Sequence, residues 1–88
     1  MNLLILNQMV EDYRKALAPK FPDVLICAVT KEEEVGDFIK RTEILLTNRI
    51  SDGMIKKAPK LQWIQATTTG VDYIINLPSL SKKILITS

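Results

Sequence analysis

Eighty-eight residues with 47% hydrophobic content bound this chain to one small domain, large enough for a single core but less completely buried than a larger one. Twelve basic and ten acidic residues are interspersed to a net charge of +2, and the one basic cluster, Lys56, Lys57 and Lys60, reads as a solvated helix end, so no nucleic-acid partner is expected. Histidine is absent and Cys27 is the single cysteine, which excludes histidine triads, Cys-His pairs, histidine metal sites and an internal disulfide within these residues.

The first ten residues, MNLLILNQMV, carry no basic leader and suit a first strand, Asn2 to Leu6, better than a signal peptide. Asn7 and Gln8 close that strand. Apolar positions at Met9, Val10, Tyr13, Ala16 and Leu17 then share one helix face, ended by Pro19 and Pro22. A second apolar run, Val24 to Val29, contains Cys27, which reads as a core thiol because no histidine is present to activate it. No apolar run approaches the roughly 20 residues of a membrane span, so no membrane partner and a cytoplasmic location are expected.

Thr30-Lys31-Glu32-Glu33 matches a capping box, with the Thr30 hydroxyl and the Glu33 carboxylate each satisfying a free amide. The spacing predicts a helix after it with Val35, Phe38 and Ile39 on its apolar face. The acidic run Glu32 to Glu34 reads as first-turn dipole matching and not as a metal site. Ile44 to Thr47 gives a third strand, with Asn48 and Arg49 in the turn after it. Ser51 caps a short helix carrying Met54, Ile55 and Ala58, ended by Pro59.

The stretch Lys60 to Asp72, KLQWIQATTTGVD, reads as a strand with Trp63, Ile64 and Ala66 mostly buried, then a turn at Gly70 and a helix with Val71, Ile74 and Ile75 on one face. Two readings meet at this turn. The first amides of a helix attract an anion; threonines before a helix also serve as plain N-caps, with Asp72 complementing the dipole. Pro78 is expected to end that helix, and Ile84 to Thr87 makes a fifth strand.

Strands beginning near residues 2, 24, 43, 62 and 84, with one helix pattern in each gap, form a β-α repeat of roughly twenty residues. That alternation predicts an α/β, doubly wound, five-stranded parallel sheet in the flavodoxin-like order 2-1-3-4-5, with Leu4, Leu25, Ile26, Leu45, Ile64 and Ile84 buried. Ligands of such sheets bind beyond the carboxyl ends of the strands, the edge on which Asn7, Thr47 to Arg49, and Thr67 to Gly70 lie. A doubly wound domain normally gains a closing helix after its last strand. Ser88 follows directly, so the chain is expected to be a truncated piece of a longer protein.

Taken together, TEILLTNRISDGMIKKAPKLQWIQATTTGVDYIINLPSL and KKILITS resemble the N-terminal part of the D-isomer-specific 2-hydroxyacid dehydrogenases. The likeness covers residues 43 to 88 well, and residues 1 to 42 agree mainly in strand and helix pattern. It implies that residues 1–88 are a segment of a substrate-binding domain, with a separate Rossmann domain for NAD or NADP absent from this chain. It also implies that the Thr69 and Gly70 amides hold the carboxylate of a small 2-keto or 2-hydroxy acid and that Thr47, Asn48 and Arg49 line the same pocket. Arg49 is read equally well as a charge for that acid or as a solvent-facing arginine. The family's dinucleotide turn, arginine, carboxylate and proton-transferring histidine map onto no residue here. Catalytic, cofactor-binding and metal residues are therefore expected to be absent from this chain. The expected whole is an NAD(P)-dependent oxidoreductase, a homodimer when complete, while these 88 residues alone should be inactive. The rival reading is a stand-alone flavodoxin-like ligand-binding or interaction module without catalysis. Neither the flavin loop after a first strand nor the acidic residues of a phosphoacceptor receiver stand in place here, since Asn7 and Thr47 occupy the positions concerned.

Overall fold

A computed structural model describes residues 1–67 and 71–88. Five strands, β1 (Asn2–Leu6), β2 (Leu25–Val29), β3 (Ile44–Thr47), β4 (Trp63–Ala66) and β5 (Leu85–Thr87), form one sheet in the order β2-β1-β3-β4-β5. Every pairing is parallel, with Leu4 opposite Cys27 on one side and Leu45 on the other, and Ile64 between Leu45 and Ile86. The fold is the doubly wound α/β arrangement. Parallel strands lying inside a sheet present both faces to protein, which is why β1 reads NLLIL and not as an apolar-polar alternation.

The two faces are covered unequally. One carries Leu4, Leu6, Leu45, Ile64 and Ala66, against which the connections β2 to β3, β3 to β4 and β4 to β5 lay Val35, Ile39, Ile50, Met54, Ile55, Leu61 and Ile74. Each fully buried leucine or isoleucine there contributes about 1.5–3 kcal/mol of transfer free energy. The opposite face carries Leu3, Ile5 and Leu46 and is covered by α1 (Val10–Leu17) through Val10, Tyr13 and Leu17. Trp63 and Leu85, neighbours in register on that face, stay partly exposed, although Trp63 was expected to be buried. The Trp63 indole N–H donates to Thr87 Oγ1 at 2.8 Å.

Several local expectations are corrected. Met9 stands before α1 and is exposed, its N–H donating to Asn7 Oδ1 at 2.8 Å, and Ala16 is exposed as well. The expected second α-helix is instead two 3-10 segments, Glu32–Glu34 and Gly36–Arg41, because Gly36 takes φ +61° and no continuous α-helix passes through that conformation. The cap before them is shifted by one residue: Glu34 Oε1, and not Glu33, accepts the Lys31 N–H and the Thr30 hydroxyl, each at 3.1 Å. Leu25 is exposed, not buried, since it starts β2, an edge strand with a neighbour on one side only. Ile26 and Ile84 are half-buried.

The helix α2 (Asp52–Lys56) is capped as expected by Ser51, whose Oγ accepts the Met54 N–H at 3.3 Å. By contrast α3 (Val71–Ile74) ends four residues before Pro78 and leaves Ile75 exposed. Thr42 and Thr47, fully buried, both spend their hydroxyls locally: Thr42 on Phe38 O at 2.9 Å and Thr47 on Arg49 O at 2.8 Å. No helix among the described residues is long and apolar enough to cross a membrane.

Candidate functional site

Because all five strands run the same way, the residues that follow them meet on one edge. Strand order reverses between β1 and β3, where the connections leave toward opposite faces and a crevice opens beyond the carboxyl ends. Backbone and side chains tie that edge together: Asn7 N–H donates to Val29 O at 3.2 Å, and Thr67 N–H to Thr47 O at 3.0 Å. The Asn7 side chain reaches across β3, its Nδ2 donating to Thr67 Oγ1 at 3.3 Å.

A polar pocket of about 260 Å³ sits there, lined by Leu6, Asn7, Gln8, Thr30, Glu32, Asn48 and Arg49. Its lining offers amides, a hydroxyl, one carboxylate and one guanidinium. Thr47 belongs to the frame and not to the lining, because its hydroxyl donates to Arg49 O and accepts the Arg49 N–H at 3.2 Å. That closed turn fixes the path of Asn48 and Arg49. The Arg49 guanidinium carbon lies 5.0 Å from the centre of the Tyr73 ring, which holds the cation toward α3. Arg49 stays exposed, with its guanidinium beside an exposed tyrosine ring at the same edge.

Of the residues singled out from the sequence, Asn48 and Arg49 come together at the pocket. Thr69 and Gly70 lie outside the described residues, between Thr67, which is bonded to Asn7, and Val71, which begins α3. Sequence reasoning missed Glu32 and Tyr73. Glu32 sits in an acidic run that reads as dipole matching, yet its carboxylate accepts the Ser51 N–H at 2.8 Å and the Ser51 hydroxyl at 2.7 Å, across 19 residues of chain. Nothing in the local spacing of either residue signals that pair. Tyr73 is the outward position of a short helix, and only the fold brings it under Arg49.

Other features have different chemistry. An apolar groove of about 400 Å³ between α1 and the sheet is lined by Leu3, Leu17, Phe21, Ile44 and Trp63 and holds no charged group to orient an acid. No cluster of three potential metal-ligating side chains occurs among the described residues. Burial pushes the Cys27 thiol up, against a weaker opposing pull from Arg14, so the sulfur is held protonated near neutral pH. Comparison of the chain with protein-family models and with curated proteins returned no match.

Proposed function

We propose that this chain is the substrate-binding part of an NAD(P)-dependent oxidoreductase that interconverts a small 2-keto acid and a D-2-hydroxy acid. The observation that supports the reading best is the polar pocket at the strand-order reversal, with Asn48 and Arg49 on its rim and Asn7, another lining residue, hydrogen-bonded to Thr67. Asn48 and Arg49 are among the residues to which the sequence resemblance assigns the acid. In this reading Thr69 and Gly70 offer backbone amides to the carboxylate and Arg49 supplies the neighbouring positive charge. Orientation is the chain's contribution. Hydride transfer and protonation belong to a cofactor domain and a histidine outside these residues, since the chain has no histidine. That same absence favours, as a second reading, a ligand-binding module that performs no chemistry.

An amide-shift titration with oxalate or pyruvate, against chloride at matched ionic strength, tests the binding site shared by both readings. Saturable shifts are expected on Thr68 to Val71, with smaller ones at Asn48 and Arg49. Half-saturation should lie on the order of 1 mM, about 4 kcal/mol of binding free energy, because the reading assigns the rest of the acid's contacts to a cofactor domain. Gly70→Val should abolish the response. Shifts centred on Cys27, or none with the fold intact, would remove the carboxylate role from this turn.

A further inference from the structure

We propose that Glu32 is a positioning residue for the Asn48–Arg49 rim, acting through Ser51; the ligand in question is the carboxylate of the reading above. The link from β3 to α2 has three fixed points. Thr47 closes a turn on Arg49, Ile50 is buried in the core, and Ser51 begins α2. Asn48 and Arg49 are the two exposed residues inside that span.

The downstream fixed point depends on Glu32. Its two oxygens take both donors of Ser51, the N–H at 2.8 Å and the hydroxyl at 2.7 Å, while Ser51 Oγ accepts the Met54 N–H at 3.3 Å. The serine hydroxyl therefore has one orientation, donating to Glu32 and accepting from the helix. Charge-assisted bonds of this kind are short and about twice as strong as neutral ones. Glu32 leaves the sheet after β2, and Asn48 and Arg49 leave it after β3, so the clasp joins two walls of one pocket. Ser51 is exposed and water can replace either partner. The bonds accordingly set where the rim stands more than whether the domain folds.

Placing a carboxylate beside an anion site has an opposite electrostatic consequence, and the two roles predict opposite signs. If Glu32 acted only through its charge, Glu32→Ala and Glu32→Gln would both tighten oxalate binding. If it positions the rim, E32A weakens oxalate binding by about threefold to tenfold, the loss of one or two such bonds. E32Q, which keeps an acceptor for the Ser51 N–H, retains most of it.

Two measurements decide the matter. In the ligand-free protein, hydrogen exchange at the Ser51 amide should quicken in E32A and the amide shifts of Asn48, Arg49 and Ile50 should move, while those of Leu4, Leu45 and Ile64 stay in place. In the oxalate titration, the half-saturation concentration should rise by that factor in E32A, read alike at Asn48, Arg49 and Val71, and stay near the wild-type value in E32Q. Unchanged Ser51 exchange together with unchanged Asn48–Ile50 shifts overturns the proposal, as does tighter oxalate binding in both variants. Should E32A lose the sheet amides, E32Q carries the first measurement, with a smaller shift of the same residues expected and none overturning the proposal. A wild-type protein that ignores oxalate sinks the carboxylate reading alone, since the ligand-free arm still judges the clasp.

Discussion

At Asp52 one side chain ties the start of α2 to the loop that leads into β5: Oδ1 accepts the Ser79 N–H at 2.7 Å and Oδ2 the Ser79 hydroxyl at 2.8 Å, 27 residues away. It is the counterpart of the Glu32–Ser51 pair, with a carboxylate and a serine joined on each side of the same helix terminus. The Ser79 N–H, then its hydroxyl, hold the Asp52 carboxyl below the usual aspartate range, with desolvation opposing and Lys56, 3.9 Å away, assisting. A depressed folded value fixes the sign. The contribution is fully present above the unfolded aspartate value, roughly pH 4, and is lost as pH falls through the lower folded value. Urea midpoints measured from pH 6 to pH 2.5 should therefore fall less steeply in Asp52→Asn than in wild type. Parallel acid limbs would mean that Asp52 adds nothing to the pH dependence. Neither Asp52 nor Ser79 announces the pair in the sequence, where Asp52 reads as an ordinary first-turn acid.

Elements were legible where one strong local rule acted without a competitor. The five apolar runs fall between polar and proline breaks, and each became a strand within a residue or so of its expected start. Ser51 met α2 as a cap for the same reason, a serine three positions before the apolar i, i+1, i+4 pattern of Met54, Ile55 and Ala58. The β2–β3 connection failed because two rules conflicted. Val35, Phe38 and Ile39 have helical spacing, but Gly36 between them adopts φ +61°, and the backbone tightens into two 3-10 segments. The apolar contacts survive that change, since Val35 and Ile39 are buried and Phe38 packs against them. A β-carbon at Gly36 would meet nothing within 4 Å, so only its backbone resists substitution. Gly36→Ala should cost about 1–2 kcal/mol, the penalty of a left-handed L-residue, read as a lower urea midpoint with unchanged slope. An unchanged or raised midpoint would show that residue 36 is not held at positive φ.

At the scale of the whole molecule, the parallel sheet decides where ligands can sit but not which chemistry is performed. The edge that gathers Asn7, Thr30, Asn48, Arg49 and Thr67 was legible because a β-α repeat sends every post-strand residue to one side. The pairs that shape the pocket there, Glu32 with Ser51 and Arg49 with Tyr73, were not, because each depends on the packing of elements distant in sequence. A dinucleotide needs more than such an edge. It requires a glycine-rich turn after a first strand, so that backbone can approach the pyrophosphate. The three glycines here, Gly36, Gly53 and Gly70, stand far apart, and β1 is followed by Asn7, Gln8 and Met9, with the Asn7 side chain already committed to Thr67 and to the Met9 N–H. Proton transfer to a keto oxygen near neutral pH is most often performed by histidine, and the chain has none. These 88 residues should therefore leave NADH fluorescence and its polarisation unchanged at tens of micromolar protein, and should oxidise no NADH in the presence of pyruvate or hydroxypyruvate. Adding oxalate should shift the pocket amides without altering that result. Turnover that co-purifies with the chain through two unrelated columns, and that falls in Arg49→Ala, would place catalysis within this domain and overturn the division of labour between orientation here and chemistry elsewhere.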